Sequence, residues 1–148
     1  AALLPGGGIV LYIQGPAQSE AAKLRHVGLL ATKPENIQLR PMKAHWTEAS
    51  AQKVVRSWLS LSTSRGTEIA AVCAQDDSMA IGARKAFEES AHELRKSWLQ
   101  IPFLGCDGMP DTGQEWVRRS LLAATVLSPP TAPVAIPTSR RIAAAKGT

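Results

Sequence analysis

The chain has 148 residues, 45% of them apolar, a size and composition suited to one domain around a single core. Its formal charge of +5 is spread along the chain apart from pairs such as Arg118-Arg119 and Arg140-Arg141, and two Phe and one Tyr leave little to stack on bases, which argues against a nucleic-acid surface. No run approaches the roughly 20 apolar residues of a membrane span, residues 1–8 lack the basic start and long apolar core of a signal peptide, and three separated histidines without any Cys-x-x-Cys offer no metal spacing.

Apolar runs with β-branched character recur at residues 9–13, 37–39, 69–73, 103–106 and 123–127, with helix-like segments between most of them. This alternation predicts an α/β fold, a three-layer sandwich of about five mainly parallel strands with helices on both faces. Gly6-Gly7-Gly8 precedes the first strand, whereas a dinucleotide fingerprint follows one, so it reads as a lead-in. After that strand, Gln14-Gly15-Pro16 makes a turn able to approach a ligand closely. The first helix is expected from near Ser19, with Ala21, Ala22, Leu24, Val27 and Leu30 as its buried face.

Thr47 is the expected N-cap of a second helix that buries Val54, Val55, Trp58, Leu59 and Leu61. A third helix is expected from near Ser78 to about Glu93, burying Met79, Ile81, Ala83 and Phe87, while residues 94–100 carry no clear stop signal. Ile101-Pro102 leads into the fourth strand, residues 112–119 read as a short helix, and Pro129-Pro130 ends pairing after the fifth strand. Residues 129–148 hold four of the ten prolines and then a small-residue basic tail, which predicts a thinly apolar helix from about Pro137 and a poorly packed or mobile end. Cys73 and Cys106 lie inside strand-like runs and read as buried thiols; a bridge requires neighbouring strands with suitable Cβ geometry.

Function is most legible in residues 74–83, Ala-Gln-Asp-Asp-Ser-Met-Ala-Ile-Gly-Ala, directly after the third strand. In an open α/β sheet ligands bind at the C-terminal edge of the strands. Carboxylates gather there: Asp76 and Asp77 after the third strand, Asp107 and Asp111 after the fourth. Asp77 and Asp111 read as caps or turns, whereas Asp76 and Asp107 either face a ligand or make turns of their own. Gly-x-Ser-x-Gly, a phosphate loop and His-Glu-x-x-His are all absent, and no cofactor is implied. Neutral polyols need planar acceptors, cationic or amide donors and an aromatic face, and Asp76, Asp107, Gln75, Lys23, Arg25 and Trp46 supply them. Trp46 serves either as that face or as packing under the second helix.

Several segments then stand in a recognisable order: Ile13-Gln14-Gly15 with Arg25-x-x-Gly28, Trp46 through Trp58-Leu59, Ala74 to Ala83, Gly105-Cys106-Asp107-Gly108, and Ala123-Ala124-Thr125-Val126 before Pro129-Pro130. Together they resemble the C-terminal lobe of a type I periplasmic sugar-binding protein of the ribose-binding group, a fold shared with the effector domains of Lac-repressor-type regulators. The resemblance implies that residues 1–130 form that lobe and residues 131–148 an orphaned hinge or tail, and that an N-terminal lobe is missing. It implies a sugar-like ligand, a membrane permease of an ABC transporter as partner, a periplasmic location for the parent protein, and binding without chemistry.

By the same resemblance Asp107 and Asp76 would accept from ligand hydroxyls, Asp76 standing where the family usually has Asn. Lys23 falls where many members place a gripping Arg, Arg25 matches a recurrent helix Arg, Trp46 an aromatic contact and Ser128 a Gln near the hinge. These changes shorten or simplify the polar reach: Lys lacks the bidentate fork, Asp lacks the amide donor and Ser is shorter than Gln. An exposed half-cleft makes self-association an expectation. The alternatives are an effector-binding domain of a Lac-repressor-type regulator and, more distantly, a glycoside-processing enzyme using Asp76 and Asp107 as an acid–base pair.

Overall fold

The computed structural model describes residues 3–90, 98, 100–128 and 142–144. One six-stranded sheet runs in the order β2-β1-β3-β4-β5-β6. Its strands are β1 (Gly8–Gln14), β2 (Ile37–Lys43), β3 (Ile69–Ala74), β4 (Phe103–Asp107), β5 (Ala124–Leu127) and β6 (Ile142–Ala144). The first five are mutually parallel, as the alternation of runs predicts, and β6 lies antiparallel to β5. β2 accommodates Pro41 because it is an edge strand, where a missing N–H costs no ladder bond.

The helices are α1 (Glu20–Thr32), α2 (Glu48–Leu59), the single turn α3 (Ser62–Arg65), α4 (Asp77–Glu89) and, after a π-turn at Pro110–Gln114, the short α5 (Glu115–Arg118). Alternation along β1 sorts its side chains. Leu11 and Ile13 join Val72, Ala74 and Phe103 in a core closed by Val55, Trp58 and Leu59 of α2, Met79, Ala83 and Phe87 of α4, and Val117 of α5. Val10, with Ile37 and Ala71, points to the other face. There Tyr12 is buried and its ring stacks on His26 of α1, with centroids 5.8 Å apart, which makes α1 the layer on this side.

Chain direction fixes where a crevice opens. From β1 the chain crosses to β2 on one side, whereas β3 lies on β1's other side, so the strand order reverses between β1 and β3. The carboxyl ends at such a switch point diverge and leave room for a ligand.

Several local expectations need correction. α1 starts after Ser19 as predicted, its hydroxyl accepting from Ala22 N, but of its predicted face only Ala22 is buried, while Leu24, Val27 and Leu30 are 57%, 62% and 48% exposed. Polar anchors set the rotation of this helix: Arg25 reaches the ends of β3 and β4, and His26 is held by Tyr12 and by the Gln14 amide. Turning those two inward turns the apolar residues outward. In α2, Thr47 is the N-cap and Val55, Trp58 and Leu59 are buried, but Leu61 lies beyond the helix end and is exposed.

α4 is capped by Asp76 rather than beginning at Ser78, and it ends at Glu89, short of Glu93. A carboxylate is an equally good cap and Asp76 stands two residues nearer the strand. Most of the stretch 91–100 and residues 129–141 and 145–148 lie outside the described residues. Within the tail predicted as helical, Ile142–Ala144 instead pairs with β5, where it satisfies the open edge of that strand. Cys73 and Cys106 are free: β3 and β4 are neighbours, but the register sets Cys73 opposite Leu104, two residues before Cys106. That diagonal offset is too long for a bridge.

Candidate ligand-binding site

At the switch point the site is assembled from the ends of the five parallel strands. Beyond β1, the Gly15 N–H donates to Gln75 Oε1 at 2.8 Å; beyond β3, the Gln75 amide donates to Tyr12 Oη at 2.6 Å and to Ala22 O at 2.9 Å. Gln75 is only 3% exposed and both its donors are used, so it braces β1, β3 and α1 rather than reaching for a solute, which corrects the ligand-contact role expected for it.

The brace leaves the Gln75 carbonyl free to accept from Arg25, whose other terminal nitrogen donates to Asp107 Oδ1 at 2.5 Å. The guanidinium also lies over the Trp46 ring, 5.5 Å from its centroid. Lys23, expected to take this gripping position, instead pairs with Glu20 at 3.4 Å on the exposed side of α1. Two residues along a helix lie on opposite sides, so only one of Lys23 and Arg25 can face the crevice.

Trp46 is half-buried with φ of 60° and Asp107 has φ of 110°, conformations that bulky L residues rarely adopt. Gly15 permits the first arrangement, because a Cβ there would stand 2.3 to 2.6 Å from the indole carbons. The indole thus rests against the β1 turn while also touching the main core. Ser128, just past β5, donates its backbone N–H to Asp107 O at 3.0 Å, and its hydroxyl lies 3.6 Å from Cys106 Sγ. Arg25, Trp46, Asp107, Asp76 and Ser128 are therefore held at one sheet edge, and Lys23 is set apart.

Asp76 caps α4 by accepting from Met79 N at 2.6 Å and is 7% exposed. Burial raises its pKa to about 6; the Met79 N–H opposes that rise, Asp107 and Asp77 add to it and Arg25 works against it. Asp77, predicted as a cap or turn, is neither. Its two oxygens accept from Thr125 Oγ1 at 2.6 Å and Gly108 N at 2.8 Å, tying α4 to β5 and to the turn after β4. Burial raises its pKa too, offset chiefly by those two donors. The fold reveals this role: a Cβ at either Gly105 or Gly113 would collide with the Asp77 carboxylate, and Thr125 is a polar residue buried within its strand.

The opposite edge of the sheet has a shallow depression near Arg84, Phe103 and Leu121. Arg84 is committed there, paired with Glu88 at 2.9 Å and lying 5.5 Å over the Phe103 ring. Among the described residues no group of acidic, His or Cys side chains is arranged to hold a metal ion, and no helix is long and apolar enough to cross a membrane.

The parallel α/β sheet thus gathers a donor, acceptors and an aromatic face at its switch point. The chain belongs to the periplasmic binding protein domain family, whose model matches residues 1–145. It is 31% identical over 111 residues to a xylitol-binding protein of Mycolicibacterium smegmatis, covering 73% of this chain and 29% of that protein. Among solved structures it is similar to an ABC transporter solute binding protein from Bacillus halodurans C-125 with bound myo-inositol (26% identity, TM-score 0.69, 86% of this chain and 42% of that one). It is similar as well to the fructose-binding periplasmic domain of a hybrid two-component system (31% identity, TM-score 0.71, 87% and 42%). These relatives are solute-binding proteins or domains, and the chain spans less than half the length of each.

Proposed function

We propose that this chain forms the C-terminal, cleft-lining lobe of a sugar or polyol receptor that works outside the cytoplasmic membrane and passes its solute to the permease of an ABC transporter. The reading is carried by Arg25, held by the Gln75 carbonyl and Asp107 and lying over Trp46 at the switch point. That group presents charged acceptors and a planar donor beside an aromatic surface, the combination that binds ring hydroxyls on one side and C–H groups on the other. Asp107 and Asp76 accept from hydroxyls, Arg25 donates, Trp46 packs on the carbon skeleton and Ser128 adds a short polar contact. A xylitol-binding relative and one with bound myo-inositol support a solute of about that size. One lobe covers one side of such a ligand, so affinity is weak until a second lobe closes over it.

The test is titration of the chain with xylitol, myo-inositol and fructose, followed by calorimetry and by the indole resonances. Saturable shifts at Trp46 that disappear in Asp107→Asn, and calorimetric binding that is lost in Trp46→Ala, with unfolding midpoints near wild type, support the reading. Shifts confined to other tryptophans, or none at saturating polyol, reject it.

A second reading rests on the similarity to the fructose-binding domain of a two-component system, in which the same lobe would report a solute to a kinase rather than deliver it. The parent reading frame separates the two, since a histidine kinase in that frame selects signalling.

A further inference from the structure

The crevice holds more negative charge than its own side chains balance. Asp76, Asp77 and Asp107 act on one another there, and Arg25 is the cation that reaches them. Lys23 is drawn off by Glu20, and the His26 ring is held by Tyr12 and Gln14. The three carboxylates are unequally provided for. Asp77 has both oxygens bonded, to Thr125 and Gly108, and Asp107 has Arg25. Asp76 has the Met79 N–H on one oxygen and, among the described residues, makes no ion pair.

A nearly buried carboxylate without a cation is costly to keep ionised, and burial has already pushed this one towards its protonated form. A solute bearing only hydroxyls leaves that imbalance in place when it covers the crevice and removes more water. A solute with an ammonium group supplies the missing charge at close range in a poorly screened setting. No metal-binding arrangement competes for the role among the described residues.

Building on the sugar-receptor reading above, we propose that the solute is an amino sugar or aminopolyol whose ammonium sits against Asp76, while its hydroxyls meet Asp107 and Arg25 and its carbon skeleton lies on Trp46. Asp76 is then the residue that sets specificity for the amino group, in addition to the acceptor role it shares with Asp107.

The experiment compares sorbitol with glucamine, which differs from it by one amino group in place of a hydroxyl, on this chain and on its Asp76→Asn variant. Asn is as good an N-cap as Asp, so α4 keeps its start, and circular dichroism checks that it does. At pH 7.5 glucamine should bind about tenfold or more tighter than sorbitol, the ratio that one unit of pKa displacement at Asp76 corresponds to. That advantage should shrink towards pH 5 as Asp76 takes up its own proton. Asp76→Asn should abolish the advantage, leaving glucamine and sorbitol bound about equally.

Sorbitol binding as tightly as glucamine to the wild-type chain overturns the inference and leaves the polyol reading standing. An advantage that survives Asp76→Asn overturns the assignment to Asp76. Equal shifts from ethylamine, which has the charge and no hydroxyls, reduce the effect to simple ion pairing and overturn it as well. Binding of neither polyol rejects the inference together with the reading it rests on.

Discussion

Replacing Gln75 by Leu distinguishes a brace from a ligand contact. Leu fills a similar volume but removes the acceptor for Gly15 N–H and the donors to Tyr12 Oη and Ala22 O, in a place that is 3% exposed. A buried group left without its partner costs about 1–3 kcal/mol. Three such losses, not independent because they share one side chain, come to about 3–5 kcal/mol, a large share of the roughly 7–20 kcal/mol that a domain of this length commands. Urea denaturation followed by far-ultraviolet circular dichroism measures the loss, and Tyr12→Phe alone should lose only about 1 kcal/mol. In the double variant the Tyr12 term should disappear, since its partner is already gone. A Gln75→Leu variant within 0.5 kcal/mol of wild type, or one that loses polyol affinity at unchanged stability, would refute the brace and restore Gln75 as a contact.

Gly15→Ala should push the indole of Trp46 out of place, at a cost of about 1–3 kcal/mol for overpacking, with a red-shifted tryptophan emission and loss of polyol shifts; unchanged emission refutes the contact. Asp77→Asn keeps the shape but turns an amide N–H against Thr125 or Gly108, and a loss of about 1–3 kcal/mol in denaturation is expected, whereas a neutral result would mean the carboxylate is not accepting both bonds. For Asp76 the folded pKa, about 6, lies above the unfolded value, so its protonation favours the fold at low pH and that contribution fades as pH rises through about 6. Asp76→Asn should therefore gain on the wild type by about 1–3 kcal/mol between pH 4 and pH 7, and a pH-independent difference contradicts this. Burial pushes the Cys73 thiol up to about 12 and raises Cys106 as well, so Ellman's reagent should react slowly with the native chain and at once in guanidinium; fast native reaction would show an open sheet face.

The parallel sheet was legible because its strands hold short apolar runs, several of them β-branched, between helical patterns, and Ser19 and Thr47 announced their helices by ordinary capping chemistry. The edge holding Asp76 and Asp107 was legible too, since both follow directly on strands. The rotation of α1 was not. Its apolar pattern favours burying Leu24, Val27 and Leu30, but Arg25 has partners 50 and 82 residues away and His26 has partners in β1, outside the helix's own pattern. The exchange of roles between Lys23 and Arg25 has the same origin, because spacing along a helix says which residues share a face and not which face turns inward. Asp77 was misread for a related reason: a carboxylate at a helix start looks like a cap, and only the packing of Gly105, Gly113 and Thr125 around it reveals a brace.

The positions proposed to meet the solute are also those where the fold carries local cost. Trp46 and Asp107 hold positive φ angles, and Asp76 keeps a carboxylate nearly buried. Such costs persist only where neighbouring structure over-determines the geometry. Here the neighbours are identifiable: Gly15 makes room for the indole, Gln75 secures the turn beneath Arg25, and Asp77 fixes the β4 turn on which Asp107 stands. Relieving the cost at Asp76 should raise stability, and removing a brace should lower it, although both changes fall at the same sheet edge. Opposite signs from neighbouring residues are what separate a site preorganised for a ligand from a turn that is merely well packed, since in the latter every substitution destabilises.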